Sequence, residues 1–267
     1  MLKDITLGQF FPGKSPVHRM DPRTKLLMLI IYIVSLFLAE SWISYGVMML
    51  FLGTTIAVSR IPLKSIFRGL KPLVVILIFT GVLNLFFTDG QVLVAFWGIT
   101  ITKEGIFRAI FMMARILMLV AGTFLLTYTT SPIALTDGIE SLLNPLKKVK
   151  VPVHELAMMM CIALRFIPTL IEETDNIMSA QKARGADFES GNIFKRAKAL
   201  VPILIPLFIG AFRRADELAT AMECRCYQGG DGRTKMKLLR YRLLDFKTFG
   251  IGILLLAAII VLGQFGL

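Results

Sequence analysis

Apolar residues follow two patterns along the chain. In the first they run almost unbroken: Leu26 to Ala39, Trp42 to Ser59, Pro72 to Thr88, Gly105 to Thr129 and Phe246 to Leu267. Such runs predict five membrane-crossing helices, since a bilayer core of about 30 Å takes about 20 helical residues. Only Glu40 and Ser41 separate the first two, which read as a tight helical hairpin whose first member is short for a bilayer. Between the third and fourth runs, Val92 to Phe96 and Ile99 to Thr102 are positioned to pair as a small β-hairpin around Trp97-Gly98.

The second pattern occupies Val151 to Tyr227, where apolar residues recur at three-and-four spacing and polar residues take the other side. One amphipathic helix carries Leu156, Met160, Ala163, Leu164, Ile167, Leu170, Ile171 and Met178. The next carries Leu204, Leu207, Phe208, Ala211, Ala215, Leu218 and Met222. Pro168, Pro202 and Pro206 are expected to break or kink these helices, which divide at Gly185 to Asn192. Ahead of them, Ser131-Pro132 reads as an N-cap with proline at the first helical position, opening a helix that stops near Asn144-Pro145.

Composition agrees with a membrane protein: of 267 residues 55% are hydrophobic, and mean hydropathy is +0.71. A net charge of +12 raises the possibility of nucleic acid binding, but the basic residues lie in segments between apolar runs rather than in a solvated patch with interleaved aromatics. Their placement sets an expected topology. Basic residues load the N-terminal segment, the stretch from Arg60 to Lys71 and the region 130 to 247, whereas Lys103 is the sole one between Asp89 and Glu104. The positive-inside rule then gives an N-terminus inside, five spans and a C-terminus outside. From Thr130 to Asp245, which holds 17 of the 30 Lys and Arg, no run is expected to span comfortably. The resulting division is a four-span region at 1–129, a cytoplasmic domain at 130–245 and a last span at 246–267. No signal peptide is expected in the first 25 residues.

Arg115 falls deep in the fourth run and needs a polar partner within the bundle, for which Asn84 is the candidate. A buried tie between helices accounts for it better than a transport path. A catalytic constellation is missing. The sequence has neither a phosphate-binding Gly-x-x-x-x-Gly-Lys-Ser/Thr loop nor a Gly-x-Ser-x-Gly elbow, and its two histidines are His18 and His154. Asp137, Glu140 and His154 are too scattered for a membrane-embedded enzyme. A secondary transporter or channel is the other alternative, disfavoured by the lack of an inverted repeat. Cys161, Cys224 and Cys226 are read as reduced thiols, because a metal site would need more ligands near Cys224 and Cys226.

Each amphipathic helix ends on an arginine between small residues: Ala183-Arg184-Gly185 and Cys224-Arg225-Cys226. Two readings stand. A cation at a helix C-terminus complements the macrodipole, a term of about 0.3 to 1 kcal/mol. Alternatively, the five donors of each guanidinium are presented to a carboxylate or carbonyl cluster in a partner.

These motifs, together with Asp21-Pro22-Arg23-Thr24-Lys25 ahead of the first span, resemble the transmembrane T component of energy-coupling-factor (ECF) transporters over nearly the whole length. The family's paired Ala-Arg-Gly motif is matched fully by residues 183 to 185. In the second copy the arginine and small flanks remain, with Cys224 and Cys226 in place of alanine and glycine. The resemblance implies an all-α, L-shaped membrane scaffold with coupling helices, non-catalytic itself and without a cofactor of its own. ATP and Mg would be bound by two partner ECF ATPase subunits, engaged through Ala183, Arg184, Gly185, Cys224, Arg225 and Cys226. The apolar faces, including Met160, Leu164, Ile167, Leu207 and Ala211, would hold a substrate-binding S component that reorients during vitamin or micronutrient uptake. Met158, Met159, Met160 and Met178 suit exchangeable partners, being flexible packers.

Overall fold

The computed structural model describes residues 10–88, 90–96, 99–188, 192–230 and 238–264. Ten helices and one two-stranded hairpin are found among them: α1 Pro16–Arg19, α2 Pro22–Leu38, α3 Trp42–Ser59, α4 Leu63–Leu70, α5 Val74–Phe87, β1 Val92–Phe96, β2 Ile99–Thr102, α6 Lys103–Thr129, α7 Pro132–Leu143, α8 Val153–Ala183, α9 Ile193–Cys224 and α10 Leu243–Gln264. The protein is an all-α membrane protein. Its strands pair antiparallel, Phe96 with Ile99 and Val92 with Thr102, over the residues expected from the sequence. The turn at Trp97-Gly98, residues 189–191 between α8 and α9, and the end of the last span beyond Gln264 lie outside the described residues.

Contacts divide the described chain into two compact units, one of residues 139–238 and one of 8–138 with 239–267. In the second unit, α2, α3, α6 and α10 share a core in which Leu36, Met48, Tyr128 and Ile259 are fully buried. Phe124 stacks on Tyr128, and the Tyr32 hydroxyl donates to the Met118 carbonyl at 3.1 Å. The remaining apolar surface of these helices is outward: Ile30, Phe37, Met49, Leu50, Phe79, Phe87 and Leu254 are exposed, as lipid-facing side chains are. Arg115 is tied within this bundle, but not to Asn84. Its Nε donates to the Tyr45 hydroxyl at 2.9 Å and one terminal nitrogen to the Ala39 carbonyl at 3.0 Å. Asn84 instead donates to the Thr80 carbonyl one turn back. The cause is geometric: Ala39 ends α2 and frees a carbonyl, an acceptor that residue type alone does not reveal.

Among the described residues five helical stretches are long and apolar enough to cross a membrane: Trp42–Ser59, Leu63–Phe87, Lys103–Thr129, Val153–Ala183 and Leu243–Gln264. The sequence expectation that no run in 130–245 is long and uncharged enough to span is corrected in one respect, because α8 qualifies by length and composition. The charges of its first half are limited to Glu155 and Arg165, and its acidic cluster begins at Glu172. It is also the least apolar of the five. At 17 residues α2 is at the short end for a span, as the length of its apolar run foretold.

The Asp21 to Lys25 segment opens α2 and fastens three helix ends. Asp21 is the N-cap, its carboxylate accepting from the Arg23 backbone and Nε at 2.9 and 3.1 Å, and Pro22 takes the first helical position. Asp245, fully buried in the first turn of α10, accepts from the Asp21 backbone at 2.9 Å and from the Arg242 backbone at 2.7 Å. One carboxylate thereby satisfies donors at the N-termini of both α2 and α10. The Lys25 ammonium, buried, donates to the Thr129 carbonyl at 2.9 Å and the Thr130 hydroxyl at 3.2 Å, closing the C-terminus of α6.

Candidate coupling surface

In the unit formed by 139–238, α8 and α9 pack on one another and run without interruption through Pro168, Pro202 and Pro206. None of the prolines breaks a helix; each removes one backbone donor inside it. Both helices then end in the same way. After α8, Arg184 is the C-cap, Gly185 follows with φ of +85°, its N–H bonds the Lys182 carbonyl at 3.0 Å, and the Ala186 N–H bonds the Gln181 carbonyl at 3.0 Å. After α9, Arg225 is the C-cap, Cys226 follows with φ of +56°, its N–H bonds the Glu223 carbonyl at 2.8 Å, and the Tyr227 N–H bonds the Met222 carbonyl at 3.0 Å. Each is a Schellman closure, with the left-handed residue directly after the arginine.

This closure turns the chain away at the arginine and leaves the helix tip open. Ala183, Arg184, Gly185, Cys224, Arg225 and Cys226 are all exposed. Neither guanidinium has an ion pair or a hydrogen-bond partner among the described residues. Toward the described residues each arginine therefore keeps its full set of five donors.

The apolar faces sort into packed and open residues. On α9, Ile203 is buried and Leu207, Gly210, Arg214 and Leu218 are half-buried, a four-and-three spacing that marks the side lying on α8. Across that contact Arg214 pairs with Glu173 of α8 at 2.6 Å, and Gly210 leaves room for the carboxylate, since a β-carbon there would lie 3.0 Å from its oxygen. The opposite side exposes Val201, Leu204, Ile205, Phe208, Ile209 and Phe212. Among the residues expected on the open face, Met160 and Ala211 are exposed, whereas Leu164, Ile167 and Leu207 are half-buried. Val201, Ile205, Ile209 and Phe212 were not anticipated. At 100° per residue the expected face of α9 lies roughly 70° from both the packed and the open sides. Residues 201 to 212 are apolar nearly all round, so no single stripe is marked.

His154 and Glu140 meet at 3.0 Å in this unit, and Gly230 packs on the imidazole. No group of three or more metal-ligating side chains is found among the described residues.

The chain matches the family model described as "CbiQ: Cobalt transport protein" over residues 13–236. It is 52% identical to the energy-coupling factor transporter transmembrane protein EcfT of Ruminiclostridium cellulolyticum, covering 98% of each chain. The EcfT proteins of Thermosediminibacter oceani (56% identical, covering 93% of this chain and 94% of the relative) and Bacillus subtilis (46%, covering 97% and 98%) are similar over comparable lengths. Family match and near full-length identity agree with the apolar helices described above, and the chain belongs to the CbiQ/EcfT family of energy-coupling factor transporter transmembrane proteins.

Proposed function

We propose that this chain is the membrane scaffold of an ECF-type importer, coupling ATP hydrolysis by two cytoplasmic ATPase subunits to reorientation of a substrate-binding subunit. The single observation that carries the reading is the pair of exposed, unpartnered guanidiniums on identically closed helix tips. A dipole-only role would need no such match, because any cation in the last turn serves it. The chain catalyses nothing itself and holds no cofactor; ATP and Mg belong to the ATPases. The N-terminus and residues 130–245 face the cytoplasm, where the basic residues are concentrated; α8 is included because it is the least apolar of the five candidate stretches and its second half carries Glu172, Glu173, Asp175 and Lys182. The exposed apolar residues of α8 and α9, from Met160 to Phe208 and Phe212, receive the substrate-binding subunit.

The test is charge inversion at both tips. Arg184→Glu or Arg225→Glu costs about 2 to 5 kcal/mol at a buried, hydrogen-bonded contact with an ATPase. Each single change cuts ATP-driven uptake, and the double change releases the ATPases on purification while the membrane helices still insert. Recovery of the double variant with ATPases at the unmodified ratio and normal uptake sinks the reading.

A further inference from the structure

The chain passes between its two compact units twice, at 138/139 and again at 238/239. Both crossings are anchored, inside the membrane unit, on the segment from Asp21 to Lys25, the outgoing one on Pro22 and Lys25 and the returning one on Asp21 and Arg23. On the outgoing side Lys25 holds Thr129 and Thr130, and Pro22 packs on Gly138 so closely that a β-carbon on Gly138 would lie 3.0 Å from the proline. On the returning side the Arg23 guanidinium lies 4.3 Å above the Tyr241 ring, and the Asp21 backbone bonds Asp245, which also holds Arg242. Lys25, Asp21 and Asp245 are all buried, so water cannot substitute for these bonds without opening the core.

We propose that Asp21 to Lys25, with Asp245, are positioning residues that transmit movement of the 139–238 unit to the membrane helices. A displacement arriving along either crossing meets a charged, hydrogen-bonded anchor at the N-terminus of α2, and α2 together with α10 carries the buried core. Without the anchor the same displacement is absorbed in the segments 130–138 and 239–242. The inference rests on the proposal that the 139–238 unit receives the ATPase stroke.

The experiment uses the full complex with its ATPases in nanodiscs, spin-labelled through genetically introduced keto amino acids so that Cys161, Cys224 and Cys226 stay in place. One spin-label pair, at Ser179 and Thr220, reports the coupling helices, and a second, at Met49 and Ile260, reports the membrane helices; all four positions are exposed. In the otherwise unmodified complex ATP shifts the distances in both pairs. In Lys25→Met and Asp245→Asn the coupling pair still shifts, whereas the membrane-pair shift falls by about five-fold or more, as expected when two linked sites are uncoupled. If Asp245→Asn yields no complex, Thr130→Val, which removes only one acceptor from Lys25, must give the same selective loss. An undiminished membrane-pair shift in these variants overturns the proposal. So does an equal loss in Tyr45→Phe, which removes a half-buried hydrogen bond remote from the crossings and would reveal general loosening. A coupling pair that ignores ATP in the unmodified complex refutes the ATPase reading instead, and a membrane pair that alone stays still there refutes this one.

Discussion

Gly185 and Cys226 occupy the same position in two helix closures, each directly after its arginine and each with positive φ, +85° and +56°. The geometry of the tip is therefore kept where the glycine is not, at the cost of holding an L-residue in the left-handed region, about 1 to 2 kcal/mol. Among the described residues nothing beyond its chain neighbours lies within 4 Å of a β-carbon placed on Gly185, so the penalty at that site is conformational and not steric.

Gly185→Ala is accordingly expected to weaken the end of α8 by about 1 kcal/mol, and Cys226→Gly to strengthen the end of α9 by somewhat less, because glycine also gains freedom in the opened state. Hydrogen exchange resolved to the last two turns of each helix measures both. Unchanged protection in the two variants would mean that the closures are held by a partner or by lipid and not by their own backbone.

Membrane orientation is open to a direct check. Basic residues are concentrated in 60–71 and 130–247 and are scarce in the hairpin loop, so a single cysteine at Gly90 should react with an impermeant reagent from outside, and one at Asn192 should not. Both positions are exposed, which removes burial as an explanation for silence. Equal labelling at the two sites would refute the assigned topology.

Much of this architecture is written in local pattern. Trp42–Ser59, the two strands and the Ser131-capped helix α7 follow from runs, alternation and capping residues, all of which act within a few positions of chain. What sequence does not reveal is which acceptor a buried donor finds across the bundle. Arg115 demanded a partner by its depth, yet the partner is a helix-ending carbonyl and a tyrosine 70 residues away, and Asn84 turns back on its own helix. The same holds for the outward face of α9. A stretch apolar all round specifies that it is covered, and packing against α8 decides which side is covered from within.

Acid should loosen the start of the structure. His18 bridges Ser15 at 2.7 Å and the Phe11 carbonyl at 3.0 Å, and its pKa is pushed below the ordinary 6.5, first by burial and further by the Lys25 charge, against the raising effect of the Phe11 carbonyl. The sign follows from linkage: below 6.5 the unfolded segment takes up a proton before the folded one does. Stability contributed by the neutral ring is thus present above that value and is lost as pH falls toward the lower folded pKa. Limited proteolysis of residues 10–20 should accelerate between neutral pH and pH 5 in the unmodified chain, and His18→Gln should flatten that dependence. A profile unaltered by the substitution would exclude His18 as the titrating group.

The open side of α9 separates docking from internal packing most sharply. Phe208 and Phe212 are 61% and 69% exposed, whereas Ile203, five and nine residues earlier on the same helix, is 3% exposed and lies on the α8 side. An aspartate at Phe208 or Phe212 meets water in the isolated chain and costs the fold little. If that face receives a substrate-binding subunit, the same aspartate is buried on assembly, and desolvating an unpaired carboxylate costs a few kcal/mol. Phe208→Asp and Phe212→Asp are therefore expected to abolish retention of the substrate-binding subunit, while ATPases docked as proposed at Arg184 and Arg225 stay bound. Met160→Asp should act in the same direction, since Met160 is 46% exposed on α8. Ile203→Asp should instead lower the melting temperature of the whole 139–238 unit and release both kinds of partner together. Wild-type retention of the substrate-binding subunit by Phe208→Asp and Phe212→Asp, at unchanged melting temperature, would assign the open face to lipid and require another surface for that partner.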